Sequence, residues 1–373
     1  MEFTVDKRIL QEAVQKTLGI VERKTTIPIL SNILIKTDGD SLKIVATDRE
    51  IGLVANYPAQ IYEPGDITIN AKKISEMIRE MDDDSVLFRT VGDKQAFIKS
   101  GSAEYRVQGI PSDDFPEVHM EEEVECFSIP SVTLSRMIRK TFFAATADET
   151  RKSLNGAYFK KEGLNCEMVA TDGYRMSLVT EVLPEANGKE IGIGGVIIPR
   201  KGLLEIRKIF GDKDMPVEMG ITGNVLVVKT KDIMLRLSLI DATYPDYSRV
   251  IPKDRGVEIH LDRHRFLQSL RRMGVMATEF FSGVALELSD GKMILNSTNP
   301  DVGEANEEIE VSYKDGSFTI AYNVHYLIEG IESMDSELIS LDMRRDGGPC
   351  VIRPLDDDSH VCIVMPLKIK TNW

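Results

Sequence analysis

One pattern recurs three times along the chain and fixes the scale on which it folds. LKIVATD ends at Asp48, NCEMVATD at Asp172 and KMILNSTN at Asn299, so the same apolar strand and polar turn return after 124 and then 127 residues. Solenoid repeats run to roughly 20–50 residues, so each copy here is expected to be a whole domain with its own core. The other landmarks keep the same order. Short strands EFTV, ECFSI and VEIHL lead into amphipathic helices marked by Ile9 and Leu10, by Leu134, Met137 and Ile138, and by Phe266 and Leu267. INAKKISEMIREM, IIPRKGLLEIRKIF and TIAYNVHYLIEGI then each join a strand to a second helix. AEYRVQGIPSDDFP and IMLRLSLIDATYPDY match as strands followed by an aromatic-Pro turn, and the third copy finishes in HVCIVMPLKI.

Within a copy, alternating apolar runs are separated by turn signals at Asp38-Gly39, Asn187-Gly188, Asp290-Gly291 and Asp315-Gly316, which indicate antiparallel hairpins. The expected fold class is α+β: three similar domains, each with two helices on one side of antiparallel sheets of about seven or eight short strands. The acidic run Glu121, Glu122, Glu123 and the stretch IPKDRG read as linkers, giving domains at 1–124, 125–253 and 254–373.

Composition narrows the class. Apolar residues at 42% and charged residues at 28% suit a soluble globular protein. The opening MEFTVDKRIL carries charge where a signal peptide needs an apolar core, and no window approaches the ~20 apolar residues of a membrane helix, so a cytoplasmic protein is expected. Cys126, Cys166, Cys350 and Cys362 form no CxxC pair, which reads as free thiols in a reducing compartment. His119, His260, His264, His325 and His360 are scattered without metal-ligand spacing, so no metal and no cofactor are expected. No P-loop, GxSxG, GxGxxG or Cys/His signature is present. Asp48 and Asp172 could be taken for a carboxylate pair, but they occupy equivalent places in different copies; repetition accounts for them and no catalytic residue is expected.

A formal charge of −14 argues against a conventional nucleic-acid binder until the charge is divided. The six expected helix windows are 6–21, 72–81, 131–147, 199–211, 262–278 and 323–333. They contain 17 Lys and Arg against 8 Asp and Glu, a net of +9 that leaves −23 for the remainder. Segregation of this kind makes a local attractive field for an anion despite the overall repulsion. Lys and Arg are good helix formers in any case, but Glu is equally good and scarce here. Three domains with basic helices suggest a curved surface facing a polyanion, and duplex DNA fits. Since an acidic protein would bind a DNA surface feebly, enclosure is the better means of retention. A repeat scaffold that binds peptides and never meets DNA is the rival reading, favoured if the helical charge is paired with neighbouring acids.

Over its length the chain resembles the bacterial DNA polymerase III beta subunit family, the sliding clamps. TIPILSN at 26–32, ATDGYR at 170–175, LIDATYPDYSRVIP at 239–252 and VMPLK at 364–368 carry the likeness, set in the threefold repeat. The resemblance implies a head-to-tail homodimeric ring of six similar domains, helices lining the hole and sheets outside. It implies a non-catalytic processivity factor that encircles duplex DNA without reading sequence. Its implied partners are the replicative polymerase catalytic subunit, an ATP-dependent clamp loader and other clamp-motif proteins. The implied partner-peptide groove comprises Leu154, Thr171, Gly173, Tyr174, Arg175, Met176, Pro245, Arg249, Val250, Ile363, Met365, Pro366 and Leu367. Met365 and Leu367 would be adaptable walls, and Arg175 or Arg249 hydrogen-bonding rims. The implied dimer interface sets Met77 and Met81 against Val275 and Met276, and Lys99 and Arg106 against Glu304, Glu307 and Glu308. For DNA the matching residues are Lys24, Lys72, Lys73, Arg200 and Lys201; Arg136, Arg139 and Lys140 are added from the charge map. Lys152 and Ser153 stand where the family often has aromatic residues before Leu154. The chain also runs past the family's usual end with Ile369, Lys370, Thr371, Asn372 and Trp373.

Overall fold

A strand that ends in Asp or Asn and turns at once into a helix is the recurring local unit. Asp6 closes the strand Glu2–Asp6, and its Oδ1 accepts from the Arg8 N–H at 2.8 Å. Asn70, closing Asp66–Asn70, accepts from the Lys73 N–H at 3.0 Å. Asp262 and Asn323 do the same for the N–H groups of Arg265 at 2.7 Å and His325 at 2.9 Å. A short side-chain acceptor here satisfies N–H groups that the first helical turn leaves orphaned, at about 1 kcal/mol per cap. The computed structural model describes residues 1–22, 26–119, 124–184, 192–211, 213–278 and 280–367. The expected linker at Glu121, Glu122 and Glu123, the turn at Asn187-Gly188 and the terminal Ile369 to Trp373 lie outside the described residues.

Among the described residues six α-helices match the six expected windows, with α2 starting one residue early: α1 (Lys7–Thr17), α2 (Ala71–Arg79), α3 (Ser131–Thr141), α4 (Arg200–Phe210), α5 (Arg263–Gly274) and α6 (Val324–Glu332). The window 131–147 overshoots. The Thr141 hydroxyl donates back to the Met137 carbonyl at 2.8 Å, and Phe142–Ala144 tightens into a 3₁₀ turn.

The chain divides into two compact units, one built on Met1–Ser135 with Lys201–Leu239, the other on Arg136–Glu185, Gly192–Arg200 and Ile240–Trp373. In the first, an eight-stranded sheet runs Cys126–Pro130, Pro216–Thr222, Val225–Lys229, Ile233–Ser238, Ile51–Pro58, Ser41–Thr47, Asn32–Asp38, Asp66–Asn70. Its five-stranded companion runs Gln60–Glu63, Glu2–Asp6, Ser85–Val91, Gln95–Ser100, Ala103–Gln108. The second unit repeats the plan, with eight strands in the order Ile193–Pro199, Gly156–Glu162, Asn165–Thr171, Arg175–Val182, His360–Val364, Cys350–Pro354, Leu338–Met343, Val257–Asp262. Its five-stranded sheet runs Gly303–Glu310, Lys292–Asn299, Gly283–Ser289, Phe318–Asn323, Pro366–Leu367.

Each copy thus keeps two helices and antiparallel strands, but the sheets continue from one copy into the next. Leu235 of the second copy pairs with Leu53 of the first, and Met176 of the second with Ile363 of the third. The third copy packs Phe266 and Leu270 of α5 and Leu327 and Ile331 of α6 against Leu286, Leu295, Tyr322, Ile339 and Leu341 from both of its strand sets. Each such side chain stabilises the fold by about 1.5–3 kcal/mol on burial.

The repeated turn also repeats atom by atom. Asp48 Oδ1 accepts from the Glu50 and Ile51 N–H groups at 2.9 and 2.6 Å, as Asp172 Oδ1 does from Tyr174 and Arg175 at 2.9 and 3.0 Å. The next residue has positive φ in both copies, 80° at Arg49 and 89° at Gly173. Asp48 and Asp172 therefore serve as turn formers in their own copies.

Candidate functional site

The Asp172 turn builds one side of a groove of about 500 Å³ in the second unit. Thr171 donates its hydroxyl to the Arg175 carbonyl at 2.6 Å, and Arg151 Nη1 donates to the Asp172 carbonyl at 2.8 Å, so the turn is fixed from both flanks. Strand His360–Val364 lies beside Arg175–Val182, and the Met365 N–H donates to the Tyr174 carbonyl at 2.8 Å, which carries Ile363 and Met365 to the groove. The third wall is the segment after Tyr244. Its ring stacks on Tyr158 with centroids 5.2 Å apart, and its hydroxyl donates to the Val169 carbonyl at 3.2 Å. Burial pushes the phenols of Tyr244 and Tyr247 well above their ordinary range, so both stay protonated donors. Tyr247 donates to Glu167.

Ten of the thirteen expected residues line this groove: Leu154, Thr171, Gly173, Arg175, Met176, Pro245, Arg249, Val250, Ile363 and Met365. Tyr174, Pro366 and Leu367 lie outside the lining, with Tyr174 and Leu367 exposed nearby in sequence. Asp246, Tyr247 and Pro349 line it without having been expected; Asp246 and Tyr247 sit inside the quoted YPDYSRV motif, whereas Pro349 is brought in by the fold alone. The two arginines differ from the expectation of equivalent rims. Arg175 is enclosed: Nε donates to Asp172 Oδ2 at 3.1 Å, Nη1 donates to Glu329, and the guanidinium lies 4.4 Å from the Tyr326 ring centroid and 5.5 Å from that of Phe143. It fixes the wall. The Arg249 side chain is 84% exposed, with an ion pair to Asp246 at 2.8 Å, and is the rim group. The Ser248 hydroxyl and then Arg249 hold the Asp246 carboxyl below its usual range.

At the corresponding turn of the first unit Gly52 stands where the second copy has Met176, and a Cβ there would lie 2.7 Å from Val118 Cγ1.

The residues expected at DNA separate into two groups. Lys72 and Lys73 are exposed on α2 and share Glu76, at 3.8 and 2.9 Å. Lys201 bonds Asp48 and the Ile20 carbonyl. Arg200 donates to the carbonyls of Phe142 and Ala145 at 3.3 and 3.0 Å, with its guanidinium 4.0 Å from the Phe142 ring centroid. Lys24 lies outside the described residues. The three added from the charge map are paired with acids of the second unit. Arg136 makes a bidentate bond to Glu181 at 2.8 and 2.7 Å, and Arg139 holds Asp335 at 2.8 Å. Lys140 is 3% exposed between Asp335 and Asp357 at 3.4 and 3.6 Å, so its ammonium is engaged inside the protein. Position on a basic helix did not reveal that acids from distant segments meet these cations.

Residues 1–119, 128–246 and 248–368 match, in turn, the N-terminal, central and C-terminal domains of the DNA polymerase III beta subunit. The beta sliding clamp of Caulobacter vibrioides is 31% identical over 375 residues, covering 99% of this chain and 100% of the relative. The chain belongs to the DNA polymerase III beta subunit family. The Escherichia coli K12 beta sliding clamp is 28% identical over 371 residues, with 99% and 100% covered. The crystal structure of the Thermotoga maritima beta subunit superposes with a TM-score of 0.92 at 27% identity, with 99% of each chain covered. That of a Pseudomonas aeruginosa sliding clamp bound to griselimycin gives 0.91 at 29%, with 99% of this chain and 100% of that one covered. The function is accordingly that of a processivity clamp for DNA polymerase III, with no catalysis of its own. Among the described residues no helix is long and apolar enough to cross a membrane.

The residues expected at a clamp interface occupy sheet and helix ends. Lys99 and Arg106 lie on the last two strands of the first five-stranded sheet, and Lys99 holds Glu104 at 2.7 Å. Glu304, Glu307 and Glu308 lie on the edge strand Gly303–Glu310, with Glu307 bound by Arg272 and Glu308 by Lys292. Val275 is 71% exposed just after α5, Met276 follows it, and Met77 is half-buried. Met81 is the most enclosed of these, packed in the core at 1% exposure.

Proposed function

We propose that two copies close head to tail into a ring about duplex DNA, each contributing domains at 1–124, 125–253 and 254–373. The observation that carries this is a pair of complementary sheet edges. Ala103–Gln108 ends one five-stranded sheet and bears Arg106, with its Glu104 held by Lys99 of the next strand; Gly303–Glu310 ends the other and bears Glu304, Glu307, Glu308 and Glu310. An edge strand presents a row of backbone groups ready for another strand, and opposite charge selects the partner edge over its own copy. Met77, Val275 and Met276 supply the apolar part. Such a heterologous contact closes after two subunits, and sliding then needs only weak phosphate attraction from Lys72, Lys73, Arg200 and Lys201, with Lys24.

The groove between the Asp172 turn, Pro245 to Val250 and Ile363 to Met365 docks the extended motif by which the polymerase, an ATP-dependent loader and other replication and repair proteins reach the clamp in the cytoplasm. Its apolar floor takes side chains while Arg249 and Asp246 orient the peptide. The ring is tested by loading the protein on nicked circular DNA with a loader and ATP, then linearising the circle. Release from the ends is expected; retention on linear DNA overturns the ring. Sedimentation should give a dimer mass, and a monomer at micromolar concentration would overturn closure. Truncating Met365 and Pro366 should abolish binding of polymerase C-terminal peptides while leaving the dimer mass unchanged.

A further inference from the structure

Consecutive copies meet at two junctions inside the chain, and the two are built alike but held differently. At the first, strand Ile51–Pro58 pairs with Ile233–Ser238, with Leu53 opposite Leu235. At the second, Arg175–Val182 pairs with His360–Val364, with Ser177 opposite Cys362. The helices starting at Lys7 and Ser131, the strands starting at Ile51 and Arg175, and the helices starting at Arg200 and Val324 are each 124 residues apart. Glu12, Gln15, Tyr57, Glu205 and Gly211 of the first junction therefore stand where the second has Arg136, Arg139, Glu181, Glu329 and Asp335.

The second junction is tied. Arg136 bonds Glu181 through two nitrogens at 2.8 and 2.7 Å, Arg139 of the second copy holds Asp335 of the third at 2.8 Å, and Arg175 donates to Glu329. The space left among Arg136, Lys140, Glu181, Asp335 and Asp357 is about 400 Å³. The first junction lacks the means to do the same. Glu12 holds Lys16 of its own helix at 2.8 Å, and neither Gln15 nor Gly211 carries a charge. A cavity of about 650 Å³ lies there between Tyr57 and Pro58 of the first copy and Ile209, Phe210 and Ile233 of the second.

Three buried polar atoms sit at this junction with no hydrogen-bond partner: Asn56 Oδ1, the Tyr57 hydroxyl and Glu205 Oε2. Asn56 and Tyr57 belong to the cavity lining, and the Glu205 carboxyl lies so close against Gly19 of the first copy that a Cβ there would meet Oε1 at 1.8 Å. The Lys208 ammonium is 3.8 Å from Glu205 Oε2, beyond hydrogen-bond reach. At the second junction His360 Nδ1 is in the same state, but Glu181 and Glu329, the counterparts of Tyr57 and Glu205, are bonded. A buried polar atom left unpaired destabilises the closed packing, and hydration on local opening relieves it. The atoms around a cavity also give up fewer contacts when they part. Both effects lower the cost of opening at the first junction.

We propose that the junction of the first and second copies is a hinge built into the fold: it opens locally, admitting water to Asn56, Tyr57 and Glu205, while the second junction stays shut. The hinge belongs to a single chain and does not rest on the ring; in a ring it is where a subunit bends when the seam is parted.

Hydrogen exchange read by mass spectrometry on the full chain, corrected for intrinsic rates, compares the ladder around Leu53 and Leu235 with that around Ser177 and Cys362. The first should exchange about tenfold faster. Tyr57→Phe removes one unpaired group and should slow the first ladder while leaving the second unchanged. Arg139→Gln gives the second junction the residue of the first and should speed the second ladder alone. Equal rates in the unaltered chain, or a faster second ladder, would overturn the hinge. So would a first ladder that Tyr57→Phe fails to slow, or a second ladder indifferent to Arg139→Gln.

Discussion

Replacing Asp172 should separate the stability of the groove from that of the rest of the molecule. The carboxylate, 7% exposed, accepts the Tyr174 and Arg175 N–H groups at 2.9 and 3.0 Å on one oxygen and Arg175 Nε at 3.1 Å on the other. A hydrogen bond to a charged group contributes about 1.5–3 kcal/mol, but three that share one carboxylate are not additive. Asp172→Ala should therefore cost about 3–4 kcal/mol, and Asp172→Asn about 1–2 kcal/mol, because the amide oxygen can still accept both backbone N–H groups. Asp48 gives the control. Its turn has the same two backbone bonds, with Lys201 on the second oxygen, and contributes no residue to the groove lining, so Asp48→Ala should cost about 3 kcal/mol as well. Urea denaturation measures stability, and titration with a polymerase C-terminal peptide measures the groove. Only the Asp172 variants should lose peptide affinity. The reasoning fails if Asp172→Asn is as costly as Asp172→Ala, or if Asp48→Ala weakens the peptide equally.

Three further outcomes are expected. His360 is fully buried with Nε2 3.1 Å from Ser177 Oγ, and burial, then Lys140, depress its pKa to about 3. The unfolded chain then binds a proton the folded one refuses, so stability should be complete above about pH 6.5 and fall with pH toward about 3, by about 2 kcal/mol at pH 5; His360→Gln should flatten the part of the urea-midpoint profile between pH 7.5 and 5. Lys72→Ala should lower the salt slope of DNA association by roughly one unit, whereas Lys140→Ala should leave the slope unchanged and lower the melting temperature instead. Val275→Asp should shift the light-scattering mass from dimer to monomer, while Met81→Ala should keep the dimer contacts and lose about 2–5 kcal/mol of fold stability.

What could be read from the sequence was whatever lies within a short span. The triple recurrence of strand and turn identified the copies because one Asp or Asn side chain closes each turn locally, and the helices were visible through apolar positions such as Ile9 and Leu10, Leu134, Met137 and Ile138, and Phe266 and Leu267. The groove was legible only through the family likeness. Its walls come from Leu154, the Asp172 turn, Pro245 to Val250, Pro349 and Ile363 to Met365, which no periodicity connects. The pairing of the helical cations was illegible for the same reason: Lys140 meets Asp335 and Asp357, about two hundred residues away, and Arg136 meets Glu181. Met81 was placed at the interface by the resemblance alone, and no sequence pattern marked that it would be buried at 1% exposure.

The ladders that cross from one copy to the next have a consequence for how such a chain can be dismantled. A break between copies in the sequence falls on no seam in the hydrogen bonding: removing the second copy would bare the long edges of Ile51–Pro58 and His360–Val364 together. Segments excised at the repeat borders should thus be sticky fragments prone to self-association, and a lineage that once tripled this unit could not easily shed one again.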